Sequence, residues 1–290
     1  MADVQDRLEK TTPEDAFIDY CAWEYRPSSP WEGKFRSVNL LFHSFEVGGM
    51  GEQAYALVDA LREAFGVGRT VWGVKQRDGE LAWEFYFYDY RRRERERSLS
   101  RFVEVLRPFT PCAVQPDEGI PYFMFSVDVN DALVSGRRPL EEVHLYIGNP
   151  GSRVSSGICY AVTPGRRRLE NFYFFFDREQ HLQDAASKAA CSVHLDTTRI
   201  AADAVFRPEL LPCKTLCVAN KQENDSIYFS RVQVNPLLFF LREHNYPPEL
   251  ASFVGAHRAD LDHLLYDVGF DYRMENGELR ILKSGYYGFF

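Results

Sequence analysis

Two turn dipeptides constrain the folding of this chain more than any other feature. Asp78-Gly79 lies between strand-like runs at residues 70–75 and 81–90, and Asn276-Gly277 lies between residues 270–274 and 279–289. Both dipeptides adopt positive φ easily, and between strand-like runs they are the strongest local signal for a tight β-hairpin. Three further pairs of runs follow the same plan with looser connections: 122–128 with 143–147, 158–162 with 170–176, and 215–220 with 227–234. About ten strands in five hairpins are expected, and hairpins rather than crossovers make the sheet antiparallel.

Helical patterns fall between the hairpins. Residues 52–65 place Ala54, Leu57, Val58, Leu61 and Phe65 on one stripe. Residues 99–106, 178–193, 235–243 and 261–266 read as further helices, with Asp177 as the N-cap of the second. Residues 35–45 read as an additional edge strand, and residues 1–34 as an extension without a clear pattern. No Gly/Ser/Pro linker divides the chain, so residues 1–290 are expected to form a single α+β domain.

Strand side chains alternate between faces. Leu81, Trp83, Phe85 and Phe87 share one face, opposite Ala82, Glu84, Tyr86, Tyr88 and Tyr90. Val143, Leu145 and Ile147 oppose Glu142, His144 and Tyr146. Asn171, Tyr173 and Phe175 share a face, as do Lys283 and Tyr287. The apolar face suits a layer of helices. The other face carries tyrosines with scattered charges. A sheet this large tends to curl and hide its edges. Closure would turn the tyrosine face into the wall of a ligand-sized lumen. Left open, it would be a wet face or a surface for a protein partner.

Composition limits the partners. Aromatic residues make up 15% of the chain, and the formal net charge is −8 with a pI near 5.5. A general nucleic-acid binder needs a basic face, so that class is set aside. No apolar run is long enough to span a membrane, and the first ten residues lack the apolar stretch of a signal peptide. The six cysteines, at 21, 112, 159, 191, 213 and 217, form no CxxC pair and no zinc-spaced cluster. Free thiols and a cytoplasmic location are expected, with no structural metal. Arg91–Arg97, alternating in sign, reads as a solvated segment.

The order of these elements resembles the ABBA fold of the soluble aromatic prenyltransferases, in which helix–hairpin–helix units close into an antiparallel barrel (the PT barrel). The likeness covers roughly residues 50–290. The stretch Arg166-Arg167-Arg168-Leu169-Glu170-Asn171-Phe172-Tyr173-Phe174 resembles that family's third hairpin. Glu278-Leu279-Arg280-Ile281-Leu282-Lys283-Ser284-Gly285-Tyr286-Tyr287 resembles its last strand. Glu84-Phe85-Tyr86 falls where the family carries an inward acid, and Phe253-Val254-Gly255 is similar to the segment before the last hairpin.

The resemblance implies transfer of an isoprenoid group from an allylic diphosphate to an aromatic acceptor such as an indole, a phenol or a peptide side chain. It implies no required cofactor, with Mg²⁺ as an optional companion of the diphosphate. Cations must hold the departing diphosphate; Arg167, Lys283 and Lys221 are the candidates. Ring faces must shield and stabilise the allyl cation; Tyr86, Tyr173 and Tyr287 are the candidates. Asn171 and His144 complete the expected substrate contacts, and Glu84 is the expected acceptor contact or base. The chain departs from the family pattern by placing Glu142 where a cation is expected and His144 where a tyrosine is expected. It also lacks a basic residue at the start of 227–234. A barrel that binds a hydrophobic or aromatic molecule without catalysis is the alternative reading.

Overall fold

In a computed structural model, which describes residues 7–91, 95–148 and 155–290, ten antiparallel strands close into a barrel. The strands are β1 (Val71–Arg77), β2 (Glu80–Tyr88), β3 (Met124–Val129), β4 (Val143–Gly148), β5 (Ser155–Thr163), β6 (Arg166–Asp177), β7 (Thr215–Lys221), β8 (Asp225–Val232), β9 (Tyr266–Glu275) and β10 (Glu278–Phe289). Consecutive strands pair all the way round, and β1 meets β10 to close the ring, Val71 opposite Phe289 and Gly73 opposite Tyr287. The five expected hairpins are all present. Closure leaves no strand edge unpaired, so the tyrosine face is a lumen wall and not an open docking surface.

Among the described residues, eight α-helices stand around the barrel: α1 (Val38–Val47), α2 (Glu52–Phe65), α3 (Leu99–Leu106), α4 (Asp131–Val134), α5 (Arg178–Ala190), α6 (Val234–Glu243), α7 (Pro248–Ala256) and α8 (Arg258–Leu261). The hydrophobic core lies between them and the outward strand face. Trp83, Phe85, Phe87, Phe125, Val127, Val268 and Phe270 are buried there, with Leu41, Phe45, Leu57, Leu61, Phe102, Leu237 and Leu241 from the helices. The Asp177 carboxylate caps α5, accepting from the Glu179 and Gln180 amides at 2.9 and 3.2 Å. Among the described residues, no helix is long and apolar enough to cross a membrane.

Three expectations are corrected. Residues 35–45 form no edge strand: Val38, Leu41, Phe42 and Phe45 recur at helical spacing and bury one face of α1. A closed barrel also has no edge to offer a further strand. The helix expected at 261–266 does not form: the short α8 ends at Leu261, and β9 begins at Tyr266 and pairs with both β8 and β10. The third hairpin turns tightly at Pro164-Gly165, where Gly165 has φ +74°, so its second strand begins at Arg166 and not at residue 170. Of the alternating-charge segment, residues 92–94 lie outside the described residues.

Candidate functional site

The lumen is built in layers. Five tyrosines form a ring around it, each from the second strand of a hairpin: Tyr86 (β2), Tyr146 (β4), Tyr173 (β6), Tyr228 (β8) and Tyr287 (β10). Neighbouring centroids lie 5.9 Å apart for Tyr86–Tyr287 and Tyr146–Tyr173, 6.3 Å for Tyr228–Tyr287 and 6.5 Å for Tyr173–Tyr228. First strands answer with small residues: Gly73 pairs with Tyr287, Gly269 with Tyr228 and Gly157 with Tyr173. A Cβ at Gly73 would lie 2.6 Å from the Tyr287 ring, and one at Gly269 would lie 2.2 Å from the Tyr228 ring. The Tyr287 and Tyr228 rings therefore lie against glycine backbone, as strand glycines permit.

Toward the hairpin turns the lumen has an ionic floor. Lys75 contacts Glu84 and lies 3.6 Å from Asp128. The Tyr86 hydroxyl donates to Glu84 at 2.6 Å, and Ser126 donates to the other carboxylate oxygen. A second cluster faces it. Lys221 donates to Asp271 at 2.8 Å, Ser226 donates at 2.6 Å, and the Lys283 ammonium stands 3.3 Å away. Burial pushes the Asp271 and Glu84 carboxyls up, but the adjacent lysines outweigh it and hold both below the usual carboxylate range. Burial pushes the Lys283 ammonium down, and the charges of Lys75 and Lys221 add to that against the pull of Asp271. Solvent reaches this end, since the side chains of Asp128 and Lys283 are 60% and 34% exposed.

Beyond the tyrosine ring, away from the turns, lies an aromatic cavity of about 250 Å³ lined by Tyr88, Phe123, Tyr173, Phe175, Tyr228 and Asp267, among others. A strap from the N-terminal extension crosses this mouth. It folds back on itself through Tyr25 N–H to Phe17 C=O at 3.0 Å and Asp19 N–H to Trp23 C=O at 3.0 Å, with Ala22 at φ +58° in the turn. Buried Asp19 accepts from the Cys21 and Trp23 amides at 3.0 Å each and from Arg231 at 2.8 Å. The Tyr20 amide donates to Asp267 at 2.9 Å. Burial, then the charge of Asp19, pushes the Asp267 carboxyl up to about 7.

The sequence matches no protein-family model and no curated protein.

Of the expected site residues, the lumen gathers Glu84, Tyr86, His144, Asn171, Tyr173, Lys221, Lys283 and Tyr287. The His144 ring stands 3.9 Å from Glu84 and 3.5 Å from Glu142, and the Asn171 amide donates to the Tyr173 hydroxyl at 2.8 Å. Arg167 is not among them. Unbroken alternation back from Asn171 would turn it inward, but the β5–β6 register shifts between Asn171 and Leu169, leaving Glu170 as the extra residue. Arg166 and Arg168 take the inward parity at the rim, while Arg167 pairs with exposed Asp117 at 2.7 Å. Glu84 is not placed as a base, because Lys75, Tyr86 and Ser126 occupy its carboxylate and its pKa is depressed.

Sequence reasoning missed Lys75, Asp271, Tyr228, Asp267 and Tyr20. Register could have found Asp271 opposite Lys283, and Lys75 shares a face with Gly73. Nothing local marks Tyr20. As for Mg²⁺, among the described residues no three His, Cys, Asp or Glu side chains converge on one point, and lysines already hold the two floor carboxylates. These residues do not fit a protein-held Mg²⁺.

Proposed function

We propose that this barrel transfers an isoprenoid group from an allylic diphosphate to an aromatic acceptor. The observation that carries this reading is the stacking, in one closed lumen, of a three-lysine floor, a ring of five tyrosines and an aromatic cavity. Each layer suits one part of such a reaction. Lys283 shares its carboxylate with Lys221 and keeps donors free for diphosphate oxygens. As the C–O bond breaks, its electron pair leaves with the diphosphate, and fixed ammonium groups stabilise that charge. The allyl cation meets ring faces and little water. The acceptor, held in the aromatic cavity, forms the new C–C bond and loses its proton to the departing diphosphate. Glu84 acts as a positioning residue that fixes Lys75 and Tyr86.

Calorimetry with a non-hydrolysable geranyl or dimethylallyl diphosphate analogue tests this reading. Micromolar binding is expected, weakened at least tenfold in Lys283→Ala and unchanged in Arg167→Ala. No binding by the folded protein, with or without Mg²⁺, would refute it. One observation favours a second reading, non-catalytic binding of an aromatic molecule. Lys75 and Lys221 each already contact a carboxylate, so the floor is largely neutralised from within. In that case aromatic ligands bind and diphosphates do not.

A further inference from the structure

Most tyrosines of the lumen come from barrel strands, and Tyr90 follows directly on β2, but Tyr20 comes from outside the barrel. The strap brings it in. Its ring lies 5.1 Å from Tyr86, 4.9 Å from Tyr287 and 6.2 Å from Tyr88, centroid to centroid. Tyr86 and Tyr287 lead down to the floor, since the Tyr86 hydroxyl bonds Glu84 and Glu84 holds Lys75. Tyr20 also lines the aromatic cavity on the opposite side. A chain rising from the lysines toward the mouth therefore meets this ring.

The ring is fixed by more than its own packing. Its backbone amide is held by Asp267 at 2.9 Å, and the preceding Asp19 is held by Arg231 at 2.8 Å. The carbonyl of the following Cys21 accepts from the Tyr90 hydroxyl at 2.6 Å. Three successive strap residues are thus tied to three different parts of the barrel side. The strap segment that carries the ring resists displacement by a ligand, because moving it would break several hydrogen bonds at once. Buried Asp19 in particular cannot give up Arg231 cheaply.

We infer that Tyr20 sets how long a hydrophobic chain the lumen accepts, admitting one isoprene unit beside an aromatic ring and excluding two. Removing its phenol frees a space close in size to one further five-carbon unit, and it does so without touching a barrel strand. This inference rests on the reading of the lumen as an isoprenoid chamber. Its test uses no diphosphate, so failure of the transfer chemistry and failure of the size gate remain distinguishable.

The probes are 3-dimethylallylindole and 3-geranylindole, titrated into the whole protein by calorimetry. Wild type is expected to bind the dimethylallyl compound at least tenfold more tightly than the geranyl one. Tyr20→Ala is expected to bring the ratio to one or invert it, while Tyr20→Phe, which keeps the ring, retains the wild-type ratio. Tyr88→Ala, which opens the cavity wall instead of its end, controls for added volume and is expected to leave the preference for the shorter chain in place. Equal binding of both probes by wild type overturns the inference, as does a ratio that Tyr20→Ala leaves unchanged. Binding of neither probe by folded protein overturns both the gate and the isoprenoid chamber on which it rests.

Discussion

The two ends of the lumen hold their carboxylates in opposite ways. At the floor, Glu84 and Asp271 are buried against lysines, and their pKa values fall. At the mouth, Asp267 is equally buried but faces Asp19, the pull of Arg231 does not offset burial and that charge, and its pKa rises. Burial alone raises all three, so the partner decides the sign. The floor is a satisfied ionic network inside a barrel. The mouth keeps an uneasy carboxyl and a set of rings, which suits a region whose contacts are completed by something else.

The contrast can be broken most forcefully at Asp271. Asp271→Leu leaves Lys221 and Lys283 without their shared anion, and a loss of about 3–5 kcal/mol in urea unfolding is expected. Adding Lys221→Met should recover much of that loss. A recovery of nothing would mean that the cluster does not act as a charge network.

A second measurement sharpens the comparison through pH. Asp267 binds its proton more tightly when folded, so its contribution to stability falls as pH rises from about 4 to about 7. Relative to Asp267→Asn, wild type should therefore lose stability across that window. Glu84 has the opposite sign. Its contribution is present above the ordinary glutamate value of 4.5 and is lost as pH falls below it. Relative to Glu84→Gln, wild type should lose stability on acidification. Thermal unfolding of each pair across pH 3–8 checks both signs, and slopes of the same sign would contradict the two-ended picture.

The smallest effect distinguishes two tyrosines on one strand. Tyr86→Phe removes a hydrogen bond to a buried carboxylate and should cost about 1.5–3 kcal/mol. Tyr88, whose ring lines the cavity, should tolerate the same change within about 0.5 kcal/mol in chemical denaturation. Equal costs would show that the tyrosine ring and the mouth share one network.

Much of this was legible in the sequence because pleat and turns are local properties. Asp78-Gly79 and Asn276-Gly277 fixed two registers, and alternation placed Glu84, Tyr86, Tyr173 and Tyr287 on one face. Arg167 was expected at a diphosphate on resemblance alone; the bulge at Glu170 turns it away from the lumen face, and no residue type announces that extra residue. Helix α1 was misread because Phe42 and Phe45 suit a strand by propensity while their spacing suits a helix. Tyr20 and Asp267 lay beyond local reasoning altogether, since their meeting joins positions 247 residues apart.

The glycines beneath the tyrosines carry a consequence for how such a chamber changes over evolutionary time. Gly73 and Gly269 are not among the residues that line the cavity, yet each supports a ring that would collide with any larger neighbour. A change to alanine at either position would lift Tyr287 or Tyr228 off the wall and into the cavity. The shape of the cavity would then drift by single replacements that leave every side chain lining it unaltered in identity. An inventory of lining residues would record no difference between two such descendants, although their chambers would have different shapes.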